Sequence, residues 1–172
     1  MYIPDISEME KGMHITYGNL VEEVQARQKK ALERKQRLQA DATLLIAELK
    51  KWLYLPDDSF IDEEGREFPF VDVFIKNQNG LFEKRPPQGL QTDKLHALNF
   101  YVGILLAGSD ITTGWLYVPV EMFYKSGSLQ VVSGDERSHV TVMHGTDQGR
   151  FFESSSLIKN SFIRAIKDPN LK

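Results

Sequence analysis

Histidines and carboxylates are the first side chains from which an acid–base or metal site could be built in this chain. The histidines are His14, His96, His139 and His144. His139 and His144 are five apart on one predicted strand, so a regular pleat sends them to opposite faces. No HExxH or HxH spacing occurs, and the histidines read as ordinary strand-end residues. His144 could meet Asp147 across a turn, which reads as a local hydrogen bond rather than an acid–base pair. Asp62, Glu63, Glu64 and Glu67 are dense enough to attract a hard cation. They lack the alternating ligands and terminal glutamate of a calcium loop, and a solvated hairpin tip is expected. There is no cysteine, which removes disulfides, thiolate ligands and a thiol nucleophile. Neither phosphate-loop spacing, GxxxxGK[ST] or GxGxxG, is present, nor is a GxSxG elbow. No metal, cofactor or catalytic residue is assigned.

Two sets of residues still merit a role. Asp72 stands inside FPFVDVFI, where a charge must find a partner, face water or line a pocket. With Tyr101, Trp115 and His139 it forms a candidate pocket set, expected between the sheet and a long helix. The second set is basic. Arg27, Lys30, Arg34 and Arg37 follow i, i+3, i+7, i+10 and stripe one helix face. Such a stripe could track phosphates in a salt-dependent way. Yet no aromatic residue interleaves it, so protein binding or simple solvation of that face competes with nucleic acid.

The elements that must position these residues start with a helix predicted over Asn19–Leu55. Asn19 and Glu22 stand at capping-box spacing, and Pro56 stops the run. Unbroken, it would be about 54 Å long at ~1.5 Å per residue. Leu38, Ala42, Leu45, Leu49 and Trp52 make its second part strongly amphipathic. Val24, Ala31, Leu38, Leu45 and Trp52 also form a seven-residue ladder, but Gln28 and Lys35 weaken the complementary one. The part from 25 to 37 is therefore expected basic and exposed, and the part from 38 to 53 packed.

The segment 56–172 reads as a sheet domain. An acidic hairpin is expected around Asp62–Gly65, followed by a strand over Phe68–Lys76 covered on two faces. Asn77–Thr92 reads as a loop, and Thr92 as the cap of a short helical turn. Strands over 99–106, 115–124, 129–132 and 139–144, separated by glycine turns, form a meander. Pro119 argues for an edge position or a bulge in its strand. A closing helix over 155–168 is expected to be capped by Ser154–Ser156 and stopped by Pro169. Residues 1–18 read as an arm. The fold class is α+β: a mostly antiparallel sheet backed by the C-terminal helix and the Leu38–Leu53 half of the long one.

At 172 residues, 41% hydrophobic, 26% charged and net charge -3, the composition is that of an ordinary soluble domain. The small net charge hides opposed blocks. Arg27, Lys29, Lys30, Arg34, Lys35 and Arg37 face a single Glu33, whereas residues 56–68 are strongly acidic. No apolar run approaches the ~20 residues of a membrane span, and no signal peptide is apparent. A cytoplasmic protein is expected, including a phage or plasmid product acting in a host cell, with no membrane partner. The leading expectation is a non-enzymatic interaction or assembly protein that uses the long helix for self-association or another protein. The alternatives are a nucleic-acid-associated protein using the basic stripe, and an enzyme or small-ligand binder.

Overall fold

The computed structural model describes residues 14–108, 111–145 and 149–167. The expected arm falls outside them up to residue 13, as do positions 109–110 of a turn, Asp147 and the stop at Pro169. The fold is α+β. Helix α1 spans Tyr17–Trp52. Eight strands follow: β1 Ser59–Ile61, β2 Glu67–Pro69, β3 Val71–Lys76, β4 Phe82–Lys84, β5 Leu98–Gly108, β6 Ile111–Lys125, β7 Ser128–Ser133 and β8 Ser138–Val142. Helix α2 spans Phe152–Ile166. Strands β1 and β2 form a small hairpin, and the other six form one sheet in the order β4-β3-β5-β6-β7-β8. Every strand pairing is antiparallel. No helix among the described residues is long and apolar enough to cross a membrane.

Two compact units divide the chain, one through Arg34 and one from Lys35 onward. The described part of the first is the opening half of α1 with its cap. The capping box is Thr16 with Asn19, not Asn19 with Glu22. Asn19 N–H donates to Thr16 Oγ1 (3.2 Å) and Thr16 N–H donates to Asn19 Oδ1 (2.9 Å). Asparagine thus does at the third helical position what glutamate usually does, and the helix starts two residues early.

In the second unit the apolar stripe of α1 is spent on the sheet. Leu38, Ala42, Leu45 and Leu49 are fully buried against Val73, Phe100, Val102, Val118, Val120 and Met122, with Ile158 and Phe162 of α2 in the same core. Each large side chain gains about 1.5–3 kcal/mol on leaving water. Gln39 adds a polar clamp, donating from Nε2 to the carbonyls of Gln88 (3.0 Å) and Leu90 (2.8 Å). The stiff Pro86–Pro87 segment is thereby tied to the helix.

Several local readings change. Phe82–Lys84 is a strand inside the expected loop, turned back on β3 through Asn77–Gly80. It is short and charged, as edge strands tend to be. Thr92–Leu98 is a tight loop and not a helical turn. Asp93 accepts from the Leu95 and Ala97 N–H groups, and His96 adopts a positive φ of 62°. Strand β6 is interior, although it contains Pro119. The carbonyl of Pro119 accepts from Gly134 N–H (2.9 Å), one residue beyond the last β6–β7 pair, Val120–Ser133. The missing N–H leaves no acceptor unpaired, because the Gly134 carbonyl opposite accepts from Arg137 N–H (3.1 Å) instead. Helix α2 begins at Phe152 without a side-chain cap. The anchor is Phe151, buried in the core, and the serines expected to cap lie inside the first turn with Ser154 and Ser155 buried.

Candidate functional site

Three places bring chemically capable residues together. The first is the exposed opening half of α1. Arg27, Lys30 and Arg34 are exposed there, and none forms an ion pair among the described residues. Tyr17, Leu20, Val24 and Leu32 are exposed too, at 82%, 57%, 56% and 49%. Leu20 and Val24 continue N-terminally the stripe that is buried at Leu38 and Leu45.

Arg37 departs from this set. Its guanidinium lies 4.6 Å from the ring centroid of Tyr124, at the margin of a second, half-buried polar cluster. Tyr124 on β6 donates its hydroxyl to Asp41 Oδ2, and Arg150 donates from a guanidinium nitrogen to Asp41 Oδ1 at 3.2 Å. Asp41 is buried within the apolar stripe of α1. Burial pushes the Tyr124 phenol up to about 12, helped by its bond to the Asp41 carboxylate and opposed by Arg37 and Arg150. Glu48 extends the seam, accepting from Gly149 N–H (2.8 Å) and Trp52 Nε1 (2.8 Å). This cluster ties α1, β6 and the approach to α2 together. Sequence reading passed over it, though a carboxylate at position 41, among Leu38, Ala42 and Leu45, is a visible signal.

The third place is the sheet face opposite the helices. Register alone puts Asp72, Tyr101 and Trp115 there together, because Asp72 faces Gly103, Phe74 faces Tyr101, and Leu105 faces Trp115. These residues therefore do not meet between sheet and helix, where the space is filled by the core. His139 shares the face but stands on β8, two strands from β6, bonded to Gln130 Oε1. Asp72 is answered by Lys84 at 3.6 Å and by the Val73 N–H at 2.8 Å.

Around these three residues is an aromatic layer. Phe82 stacks on Tyr117 with centroids 3.7 Å apart, and Phe74 meets Trp115 and Tyr117 edge-on at 5.0 Å each. Tyr101 meets Phe82 edge-on at 5.0 Å. Cations lie among the rings. Lys76 sits 5.2 Å from the Phe82 centroid and 5.5 Å from that of Tyr101, and Lys84 sits 5.4 Å from Trp115 and 5.7 Å from Phe68. Phe74, expected to be covered by a second layer, is only 3% exposed because its neighbours' rings cover it. Gly103 makes room. A Cβ there would lie 2.8 Å from Phe74 Cδ2 and 3.1 Å from Trp115 Cε3. Beside Tyr101 the face dips into an open concavity of about 290 Å³, reached by Lys76, Asn99, Pro119, Glu121 and Arg137.

Among the described residues, no group of three or more histidines or carboxylates is arranged to hold a metal ion. The acidic hairpin uses its carboxylates locally. Asp62 accepts from the Glu64 and Arg66 N–H groups and from Arg66 Nε. Comparison with protein-family models, curated proteins and solved structures finds no match to this chain.

Proposed function

We propose that this chain is a non-enzymatic assembly protein that associates with a second copy of itself through the Tyr17–Arg34 half of α1. One observation carries the reading. The stripe that is wholly buried at Leu38 and Leu45 continues into Leu20 and Val24, which are more than half exposed. Charge selects the partner and its direction. Glu22 and Glu23 precede the cations Arg27, Lys29, Lys30 and Arg34 along the helix. An antiparallel second copy sets those carboxylates beside Lys30 and Arg34, whereas a parallel copy sets like charge beside like. The surface is short, about 27 Å of helix, so the association is weak.

Sedimentation at about 50 µM in low salt, where a micromolar Kd is saturated, should show a dimer. Leu20→Glu with Val24→Glu should return a monomer with an unchanged melting temperature, because both side chains are exposed. A wild-type monomer under those conditions ends this reading. A second reading uses the same half of the helix for nucleic acid. What favours it is the set of three exposed cations, Arg27, Lys30 and Arg34, that form no ion pair among the described residues. Charge reversal of these three should then abolish binding to DNA or RNA at low ionic strength.

A further inference from the structure

We propose that the aromatic face of the sheet, opposite the helices, is a docking surface for single-stranded nucleic acid. Sheets with one free face ordinarily present polar side chains on it. Here strands β4, β5 and β6 present the half-buried rings of Phe82, Tyr101, Tyr117 and Trp115 instead, with Phe74 of β3 buried beneath them. Bases stack on such rings without regard to sequence, and cations set among the rings meet the phosphates that accompany the bases.

Both parts are in place. Lys84 lies beside Trp115, Lys76 lies over Phe82 and Tyr101, and Arg137 lines the concavity. The concavity is open and lined in part by Tyr101 and Pro119, with Asn99 and Glu121 offering hydrogen-bonding groups to a base edge. The strand is single because the bases of a duplex are stacked on one another and cannot reach rings set in a sheet face. Asp72 and Glu121 hold Lys84 and Arg137 only at 3.6 and 3.4 Å, so phosphates compete with loose ion pairs. They also offset charge, which makes the binding weak. This inference does not rest on self-association through α1, since it involves a different surface.

Fluorescence anisotropy with labelled oligo-U and oligo-dT of about twelve nucleotides, and with a duplex of the same length, tests it at ~50 mM salt. Single strands should bind and the duplex should bind at least about tenfold more weakly. Two or three phosphate contacts give a log–log salt slope of about -1.4 to -2.1. Tyr101→Ala should weaken binding by at least about fivefold, the lower bound for one stacked base. Lys76→Glu, at an exposed position, should weaken it without changing the melting temperature. The Leu20→Glu, Val24→Glu variant should bind as the wild type does at equal chain concentration. Three results overturn the proposal: no binding of single strands at ~50 mM salt, duplex bound equally well, or binding that survives Tyr101→Ala and Lys76→Glu but is lost on charge reversal of Arg27, Lys30 and Arg34. Loss of self-association in Lys76→Glu would also overturn it, by assigning this face to a second copy.

Discussion

Asp41 and Tyr124 show how much a single pair can decide. A buried carboxylate is stabilised only if each oxygen is answered, and here a phenol and a guanidinium answer them. Removing Arg150 leaves Asp41 uncompensated, and Arg150→Met should cost about 3 kcal/mol in urea unfolding. The phenol sets a pH limit. The folded-state value for Tyr124, about 12, lies above the ordinary tyrosine value near 10. The protonated phenol is therefore favoured by folding. Its contribution is complete below pH ~10 and is lost as pH rises from there through about 12. The urea midpoint should fall over that interval, and Tyr124→Phe should flatten the fall while lowering the midpoint at pH 7. An unaltered alkaline slope in Tyr124→Phe would place the loss elsewhere.

Among the elements, the two faces of the sheet are built on different chemistry. The helix face is mostly aliphatic and was legible in the alternation of Val118, Val120 and Met122. The other face of the same strands is aromatic and depends on one absence of a side chain. Gly103→Ala would drive a methyl group into the Phe74 ring edge. The rings must shift or the strand must bow, at about 1–3 kcal/mol. Near-ultraviolet circular dichroism, dominated by Trp115 and its neighbours, should change with the melting temperature. Gly114→Ala, in the same sheet with open space around it, serves as the control. At the element scale the sequence located the helices and the meander within a few residues. It missed β4, whose three residues are too few for a period, and it misread Pro119 because the end of β7 is a property of the pairing.

Across the whole molecule, one helical stripe is buried at Leu38 and Leu45 and exposed at Leu20 and Val24. Leu45→Ala should cost about 2–5 kcal/mol, since that side chain is completely buried. Leu20→Ala, on the same stripe, should leave unfolding unchanged and act only on association. If both substitutions lower the melting temperature equally in dilute solution, the division of the helix at residues 34–35 has no energetic meaning. The acid limit of the molecule belongs at this scale too. Burial raises the values of Asp93 and Glu136, but hydrogen bonds outweigh it. Those to Asp93 come from the Ala97 and Leu95 backbones and the Asn99 side chain; those to Glu136 come from its own backbone, Ser161 and Arg164. Both carboxyls end below the ordinary range. Their contribution is present at neutral pH and is lost as pH falls through those lowered values.

The sequence by itself determined the α+β class, the long helix with its amphipathic second half, the exposed basic stretch and the closing helix. These follow from periods of 3.6 and 2 and from turn residues, which act over a few positions. Tertiary structure alone decided which residues share a site. It separated Arg37 from Arg27, Lys30 and Arg34 by giving it Tyr124 to cover. It brought Asp41 to Arg150 across 109 positions of chain. It placed Asp72, Tyr101 and Trp115 on the face away from the helices. Register fixes such meetings, and a shift of one residue would exchange the two faces of a strand. That choice is made by the summed burial of the whole sheet, not by any segment of it.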